Sequence, residues 1–234
     1  MTVKYHFFGK DCLIDPALQN CSNLNKLLLQ NGFKFEHEPV FVNQVHSAEV
    51  VVLNDIKKIH TKDQRPKADA IVTNIKNLPI AIQTADCLPI LLFDKINSVI
   101  AVVHAGWRGA KAGIIGNAIN KMIEIGADIK NIKAIIGPAI QQNSYQISED
   151  FYQDFIADNS ENKKFFIKCD KDAAKYLFDL PAYAEEKLIN KAVKSISDEK
   201  IDTYDNAEKL FSYRRSSHLG GIDSGRNISI IILN

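Results

Sequence analysis

Residues 83–109 read QTADCLPILLFDKINSVIAVVHAGWRG and contain two apolar runs separated by a short polar break. Runs of this length, rich in Ile, Leu and Val, predict two neighbouring buried strands. Two features break the pattern: an Asp-Cys pair stands beside the first run, and the second run ends on a His followed by Ala-Gly-Trp-Arg-Gly. The stretch therefore predicts the middle of a sheet, with reactive side chains where its strands end.

The rest of the chain alternates between strand and helix patterns, which predicts a layered α/β or α+β domain. Strand patterns occupy residues 40–53 (two segments around a polar middle), 68–73, 78–85, 89–94, 98–105, 132–140 and 227–233. The last of these, NISIIIL, is almost continuously apolar and is predicted to be a central strand. Helix patterns occupy residues 111–126, 150–158 and 180–196. In the first helix, the predicted buried face consists of Ile115, Ala118, Ile119, Met122 and Ile123, and Gly126 is the predicted stop.

Composition limits the classes of protein that this chain can be. The 234 residues include 29 Lys and Arg against 28 Asp and Glu, so a nucleic-acid or polybasic membrane surface is not expected. No apolar stretch reaches the roughly 20 residues that span a bilayer, and the N-terminus lacks the apolar core of a secretory signal. The four cysteines have no CxxC spacing, which favours reduced thiols in a cytoplasmic protein. We see no repeat or linker and expect one domain over residues 1–234.

Three residues at predicted strand ends form a coherent set of metal ligands: His46 in NQVHS, Cys87 in TADCLP and His104 in VVHAGW. Two imidazoles and a thiolate suit Zn²⁺ and leave the fourth position for water or substrate, as in catalytic sites. The same donors suit copper, so the residues do not fix the metal. The alternatives are a core cysteine, a structural His104 and a surface His46.

Two further segments are candidates for binding an anion. Gly106 and Gly109 flank Arg108 just before the helix predicted near residue 111, where backbone N–H groups and a guanidinium can meet an anion. The loop 211–227 contains Arg214, Arg215 and Arg226 before the last strand. A cationic pocket is one interpretation of this loop. A tight turn at the glycines and a solvated basic loop are the alternatives.

Five motifs in order, QVHS, TADCLPILL, HAGWRG, IGPAI and FSYRR, resemble the laccase-domain family of purine nucleoside phosphorylases. The members have also been called multicopper polyphenol oxidoreductases, and the likeness runs from about residue 40 to residue 234. The resemblance implies an αββα layered fold and a single cytoplasmic domain. It also implies a metal site made of His46, Cys87 and His104.

The chain departs from the family pattern at several positions. Ser47 replaces the glycine of QVHG, Ala139 replaces the cysteine of IGPCI, and Ser144 stands where a cysteine is common. The Cys-Thr pair before SYRR is Asp202-Thr203 here, and the N-terminal Arg-x-Gly-Gly-Val-Ser segment is not recognisable, with Lys10 near the place of its arginine. The three metal ligands are unaffected.

The resemblance implies phosphorolysis of adenosine, inosine, guanosine and methylthioadenosine, together with deamination of adenosine. We therefore expect a zinc-dependent enzyme with His46, Cys87 and His104 at its catalytic centre. Asp86, beside the ligand cysteine, is expected either to shuttle a proton or to orient its neighbours.

Five residues are predicted to bind the nucleoside and phosphate: Arg108, Arg214, Arg215, Gln44 and Asn43. The expected partners are small molecules, with no nucleic acid and no membrane, and the expected state is a monomer or a small homo-oligomer.

Three alternatives use the same residues differently. The first is a copper-dependent polyphenol oxidase, although one His₂Cys site and six histidines poorly suit an oxidase that draws on several coppers. The second is a metal-free hydrolase of peptidoglycan precursors, in which His104 activates Cys87 as the nucleophile. The third is a binding protein without turnover.

Overall fold

The computed structural model describes residues 1–12, 14–15, 20–21, 23–58, 64–170, 172–222 and 224–234. The strands of this part of the chain are β1 (Val3–Phe8), β2 (Ile14–Asp15), β3 (Asn20–Cys21), β4 (Val50–Leu53), β5 (Ala70–Thr73), β6 (Ile80–Thr84), β7 (Leu88–Asp94), β8 (Val99–Ala105), β9 (Lys133–Ile136), β10 (Gln146–Ser148), β11 (Phe166–Lys168), β12 (Lys175–Phe178), β13 (Ser195–Asp198) and β14 (Asn227–Leu233). Its helices are α1 (Leu24–Gln30), α2 (Trp107–Ala112), α3 (Ile114–Glu124), α4 (Glu149–Asp158), α5 (Leu180–Asn190) and α6 (Tyr213–His218).

The hairpin of β7 and β8 forms the middle of a six-stranded sheet with the order β13-β9-β7-β8-β5-β4. Every residue of these two strands is buried. Their antiparallel register places Leu88 opposite Ala105 and Asp94 opposite Val99. This arrangement confirms the two adjacent buried strands predicted from residues 83–109.

A second, three-stranded sheet has the order β1-β14-β6, so β14 is a central strand as predicted. One of its faces packs against the six-stranded sheet through side chains that include Ile82, Ile231 and Leu91. Its other face is covered by α1, whose Leu24 and Leu28 lie in a separate cluster with strand residues of this sheet. The two sheets therefore bury a shared core, as expected for sheets that are each apolar on the facing side.

Helices cover the outer face of the six-stranded sheet. The side chains of α3 and α5 share one large cluster with the strand residues of that face, and α4 joins it through Phe155. The order helix, sheet, sheet, helix is the layered αββα fold that was predicted. A small sheet with the order β10-β12-β11 packs its aromatic side chains beside α4.

Several element boundaries differ from the predictions. Ile123 is 44% exposed, because each four-residue step advances about 40° around a helix and the row from Ile115 leaves the buried face there. The predicted helix 180–196 ends at Asn190, and Ala192 has a left-handed φ of +64° before β13 pairs with β9. In the predicted strand region 40–53, only Val50–Leu53 forms a named strand.

Two regions predicted to be loops contain helices. The backbone is helical from Trp107, not from about residue 111, and Gly113 with a φ of +97° separates α2 from α3. The basic loop 211–227 contains α6, which begins where the Ser212 side chain accepts a hydrogen bond from the Arg215 backbone N–H.

The cysteines differ in their state. Cys87 and Cys169 are reduced, as predicted. Cys12 is disulfide-bonded, so the prediction of four reduced thiols is wrong at this position. Spacing along the chain could not reveal this bond, because the fold decides which sulfur atoms meet. Within the described ranges, no helix has both the length and the apolar character needed to cross a bilayer.

Candidate metal centre and its cavity

The fold brings the three predicted ligands together at one edge of the six-stranded sheet. Cys87 immediately precedes β7 and His104 is the next-to-last residue of β8, so the antiparallel pairing places both at the same edge. His46 reaches them from the loop before β4. The donor atoms of the three side chains all lie within 4.8 Å of one another, and His46 Nε2 is 3.7 Å from Cys87 Sγ.

The loop that carries His46 is held by Asp69, a fully buried carboxylate just before β5. The backbone N–H groups of Val45, His46 and Ser47 donate to Asp69 over 3.3, 3.0 and 2.5 Å, and Ser47 Oγ donates over 2.8 Å. His46 adopts a left-handed φ of +59°. Such a conformation is uncommon for a residue with a side chain, and the hydrogen bonds to one carboxylate help to maintain it.

Asp69 also contacts the second histidine. The distance between His104 Nδ1 and Asp69 Oδ1 is 2.8 Å, and His104 is 3% exposed. An ionised carboxylate only accepts hydrogen bonds, so Nδ1 donates and Nε2 is left to act as a ligand. Burial opposes ionisation of Asp69, but hydrogen bonds from His104 and Ser47 lower its pKa to about 2.

The thiol and the buried imidazole favour each other's charged forms. Burial alone would raise the pKa of Cys87, but the charge of His104 and hydrogen bonds from both histidines lower it to about 6. Burial alone would lower the pKa of His104, but the charge of Cys87 and the contact with Asp69 raise it to about 9. In this arrangement Cys87 is a thiolate at neutral pH, the form that binds metals and attacks electrophiles.

The turn after β8 approaches the ligands closely because residue 106 is a glycine. A Cβ atom at Gly106 would lie 2.9 Å from Cys87 Sγ and 2.9 Å from the Cδ2 atom of His46. Real Cβ atoms do not come this close to other heavy atoms. The glycine of HAGW is therefore needed for space beside the site.

The three ligands open onto a cavity of about 680 Å³, a volume typical of small-molecule sites. Three of its lining residues are arginines and none is acidic, within the part of the chain that the structure describes. This lining gives the cavity a positive character suited to an anion. The lining residues are Val42, Asn43, Gln44, His46, Arg65, Gln83, Ala85, Cys87, His104, Arg108, Tyr213, Ser224, Gly225 and Arg226.

A family model described as multi-copper polyphenol oxidoreductase laccase matches residues 16–234. The chain belongs to this family. The match confirms the resemblance that the five motifs carry. It covers almost all of the chain, including the three ligands and the lining of the cavity.

The curated relatives of this laccase-family chain are named as phosphorylases and not as laccases. A protein of Rickettsia prowazekii named purine nucleoside phosphorylase is 42% identical over 205 residues, which cover 88% of this chain and 82% of that protein. An Escherichia coli protein of the same name is 32% identical over 187 residues, which cover 80% and 72%. A crystal structure of a Neisseria meningitidis protein matches with a TM-score of 0.77 and 29% identity over 97% of this chain and 85% of that one.

The cavity contains three of the five residues predicted to bind substrate. Asn43, Gln44 and Arg108 line it. The Gln44 side chain pairs with the backbone of Gln83, donating to its carbonyl over 2.7 Å and accepting from its N–H over 2.8 Å. The Arg108 guanidinium lies 4.3 Å from the centre of the Trp107 ring and is exposed.

Arg214 and Arg215, also predicted to bind phosphate, are not among the lining residues of the laccase-family cavity. Arg215 is buried, and its guanidinium donates to the carbonyl groups of Thr203, Tyr204 and Leu210. Arg214 donates to the carbonyl of Gln146 over 2.8 Å. These contacts join segments of the protein to one another, so the structure does not bring either guanidinium to the predicted anion site.

Asp86 lies next to Cys87, and both of its carboxylate oxygens accept hydrogen bonds from the chain itself. Thr203 Oγ1 donates over 2.6 Å, and the backbone N–H of Arg214 donates over 2.7 Å. Asp86 has a φ of +84° and links the turn that carries Cys87 to the start of α6. This geometry favours the orienting role over the proton shuttle.

Three of the departures from the family motifs lie beside one another. Ser144 Oγ donates to Asp202 Oδ2 over 2.6 Å, and Asp202 forms an isolated bridge with Ala139. Three replaced positions therefore form one local cluster, with a hydrogen bond between two of them. Ser47, the fourth, donates to Asp69 as described above.

Sequence reasoning missed Asp69 as well as Arg65 and Tyr213 in the cavity. Asp69 stands in ADAIVT, where an acidic residue before a strand is also typical of an ordinary turn. Arg65 precedes a proline in a polar loop, and Tyr213 is 67% exposed at the start of α6. The one signal in the sequence was the SYRR motif itself, which contains Tyr213.

Proposed function

We propose that this chain is a zinc-dependent purine nucleoside phosphorylase that also deaminates adenosine. The observation that carries the proposal is the His-Cys-His donor set opening onto a cavity lined by arginines. The names of the relatives support the phosphorylase part of this proposal. Adenosine, inosine, guanosine and methylthioadenosine are the proposed nucleosides, with phosphate as the second substrate.

The donor set fits zinc. His46, Cys87 and His104 supply two imidazole nitrogens and one sulfur, and the lowered pKa of Cys87 makes that sulfur a thiolate at neutral pH. Bound zinc would supply a Lewis acid that polarises an oxygen of the substrate or of water, chemistry that phosphorolysis and hydrolytic deamination can both use.

The other residues of the cavity account for binding. Arg108 and Arg226 are exposed at the cavity, and their guanidinium groups can hold a phosphate dianion by charge-assisted hydrogen bonds. Arg65 adds a third positive charge, with its guanidinium 5.1 Å from the Phe41 ring. The exposed ring of Tyr213 offers a flat apolar face on which a purine can stack.

In phosphorolysis, an oxygen of phosphate forms a bond to C1′ of the ribose while the bond from C1′ to the purine nitrogen breaks. The purine leaves with the bonding electrons and is protonated at a ring nitrogen, which gives the free base and ribose 1-phosphate. The arginines contribute by holding two negatively charged oxygens beside the anomeric carbon, so that the reaction proceeds within one bound complex.

Product analysis tests the proposal directly. The protein is incubated with inosine or adenosine, with and without phosphate, and products are separated by chromatography. We expect hypoxanthine or adenine only with phosphate, and inosine from adenosine. Cys87→Ala and His104→Ala should each lower the phosphorolysis rate at least about 100-fold, because each removes a ligand.

Cys169→Ala is the matched control for the cysteine substitution. Cys169 is also a reduced cysteine, but it is buried beside β11, where Gln146 Nε2 donates to its sulfur over 3.4 Å. Its replacement should leave the rate unchanged. Full activity of Cys87→Ala, or release of base without phosphate, would contradict the proposal.

A metal-free hydrolase of peptidoglycan precursors is the second candidate, because the same geometry is a nucleophile and base pair. The ligand atom of His104 lies within 4.8 Å of the Cys87 thiol, and Asp69 orients His104 as the third member of a triad does. Metal analysis of purified protein and treatment with a chelator separate the two candidates. Activity that survives removal of all metal, together with cleavage of a peptidoglycan precursor, would favour the hydrolase.

The copper oxidase is less well supported by the site. In the described ranges, one group of His, Cys and acidic residues could hold a metal ion. Reduction of oxygen to water by an oxidase of this kind draws on several coppers. Copper-loaded protein should therefore consume no oxygen in the presence of a phenol.

A further inference from the structure

We propose that Asp69 is the positioning residue of the metal centre, one carboxylate that sets both histidine ligands. The inference rests on the metal site of the proposed function. It does not depend on which reaction that site performs. The residue touches neither cavity nor substrate in this account and acts through His46 and His104.

One oxygen atom of Asp69 contacts both histidine ligands. Asp69 Oδ1 accepts the backbone N–H of His46 over 3.0 Å and is 2.8 Å from Nδ1 of His104. The two histidines come from a loop and from a strand that are 58 residues apart in sequence. A shared acceptor therefore fixes the main chain of one ligand relative to the ring of the other.

The other oxygen of Asp69 contacts the loop that carries His46. Asp69 Oδ2 accepts from the N–H groups of Val45 and Ser47 and from Ser47 Oγ. Together the two oxygens receive three consecutive backbone N–H groups of one loop. This convergence holds His46 in its left-handed conformation, which directs its side chain to within reach of Cys87.

Asp69 also determines which nitrogen of the neutral His104 ring carries the proton. Because the carboxylate can only accept, the neutral His104 ring that a metal requires keeps its one proton on Nδ1, and the lone pair of Nε2 points to the ligand side. An asparagine at this position has a single acceptor oxygen. Its NH₂ group would face either the His104 ring, which would favour the wrong tautomer, or the donors of the loop.

The chain offers a matched control in Asp94, which is equally buried. Asp94 Oδ1 accepts from the N–H groups of Ile96 and Asn97, and its Oδ2 accepts from Asp128 N–H and from the Asn97 amide. It is thus another buried carboxylate that receives several N–H groups of a turn. None of its partners is a metal ligand.

The test compares Asp69→Asn with Asp94→Asn. Each variant and the wild type are stripped of metal and titrated with Zn²⁺ in competition with a chromophoric chelator. We expect the zinc Kd of Asp69→Asn to rise about 10- to 100-fold and that of Asp94→Asn to stay within about twofold of wild type. A zinc Kd of Asp69→Asn within about twofold of wild type would overturn the proposal.

Cobalt substitution gives an absorption spectrum that a loss of stability alone would not change. In Asp69→Asn loaded with Co²⁺ at saturation, we expect a shift or loss of the ligand-field and sulfur-to-cobalt bands relative to wild type. The spectrum of Asp94→Asn should match that of wild type. Identical spectra in all three proteins would count against a positioning role.

If circular dichroism shows that Asp69→Asn does not fold, the positioning role is tested on the wild-type protein instead. ¹⁵N NMR of the zinc-loaded protein should show that the His104 proton is on Nδ1 and that Nε2 carries none. A proton on Nε2 would overturn the proposal. Zinc-loaded wild type without phosphorolysis would refute the proposed reaction and leave this inference standing, whereas wild type that binds no zinc would refute both.

Discussion

At the scale of single residues, Gly106 shows how little space separates the backbone from the ligands. A methyl group there would touch Cys87 Sγ and the His46 ring at once, at 2.9 Å from each. Gly106 has a φ of −68°, which any residue can adopt. Its requirement for glycine is therefore one of space and not of backbone conformation.

We predict that Gly106→Ala lowers phosphorolysis at least about tenfold, because an ångström-scale displacement of reacting groups is costly in rate. The methyl group must push Cys87 or His46 aside, since the turn itself continues directly into α2. Steady-state kinetics and zinc titration measure the effect. We expect weaker zinc binding together with the loss of rate.

Gly116→Ala in α3 is the matched control. Its added Cβ would meet Cε of Lys191, the far end of a flexible side chain that can move away. Alanine is also favoured over glycine inside a helix by roughly 0.5–1 kcal/mol. Activity should be unchanged; a similar loss of rate in both variants would show that the effect at Gly106 is not local.

The residues of the centre differ in how far they could be predicted. His46, Cys87 and His104 stand out because polar metal donors interrupt or end strongly apolar segments, and because their motifs match a family. Asp69 does not stand out, since its donors come from residues 45–47 and 104 and meet only in the fold. A single acidic residue before a strand carries no such information.

At the scale of elements, the arginines of the basic segment 211–227 differ in their contacts although they look alike in sequence. The two that belong to α6 do not line the cavity. Arg215 is directed inward to three carbonyl groups, whereas Arg226, just before β14, lies at the cavity. The sequence grouped these arginines because they share a basic segment. A six-residue helix within that segment points consecutive side chains in different directions, about 100° apart.

We predict that Arg215→Ala lowers the stability of the protein, whereas Arg108→Ala weakens phosphate binding. Arg215→Ala leaves buried carbonyl groups without their donor and should lower the free energy of unfolding by about 2–4 kcal/mol. Its KM for phosphate should change little in the folded enzyme. Urea denaturation and phosphate kinetics measure the two quantities.

Arg108→Ala should instead raise the KM for phosphate about tenfold or more, since an exposed guanidinium is lost from the cavity. Its unfolding curve should overlay that of wild type. A normal phosphate KM in Arg108→Ala, or a raised one in folded Arg215→Ala, would refute the assignment of anion binding to the lining arginines.

At the scale of the whole molecule, Asp94 connects the central hairpin to the segment between α3 and β9. It closes the turn between β7 and β8 and accepts the N–H of Asp128, which lies between α3 and β9. Burial opposes its ionisation, but the hydrogen bonds from Asn97, Asp128 and Ile96 hold the pKa of Asp94 below its usual range.

We predict that this carboxylate contributes to acid sensitivity. A carboxyl whose pKa is lower in the folded state stabilises the protein above its unfolded pKa, near 3.8 here, and the contribution is lost as the pH falls through the folded value. Asp94→Asn should lower the free energy of unfolding at pH 7 by about 1–3 kcal/mol.

Below about pH 4 the difference between Asp94→Asn and wild type should shrink, since the wild-type carboxyl then becomes neutral as well. Urea denaturation at a series of pH values measures this convergence. A difference that is constant from pH 7 to pH 3 would show that the charge of Asp94 does not stabilise the fold.

The layers of the molecule could be predicted from the sequence, but several boundaries of strands and helices could not. Apolar runs such as 89–94 and 98–105 identify central strands, because burial on both faces leaves little room for polar residues. The predicted helix 180–196 includes the first two residues of the short strand β13, since they continue the pattern of α5. Only its pairing with β9, a long-range contact, distinguishes it.

The three ligands lie at positions 46, 87 and 104, on segments that meet only when the hairpin, β5 and the loop before β4 are in place. Closure of such long loops belongs to the slow, late part of folding. The hairpin alone brings Cys87 and His104 to one edge, but the complete set of three ligands exists only in the finished fold. We expect the metal to bind after the chain has folded. Bound metal should then stabilise the folded state by a free energy that grows with the logarithm of the free ion concentration.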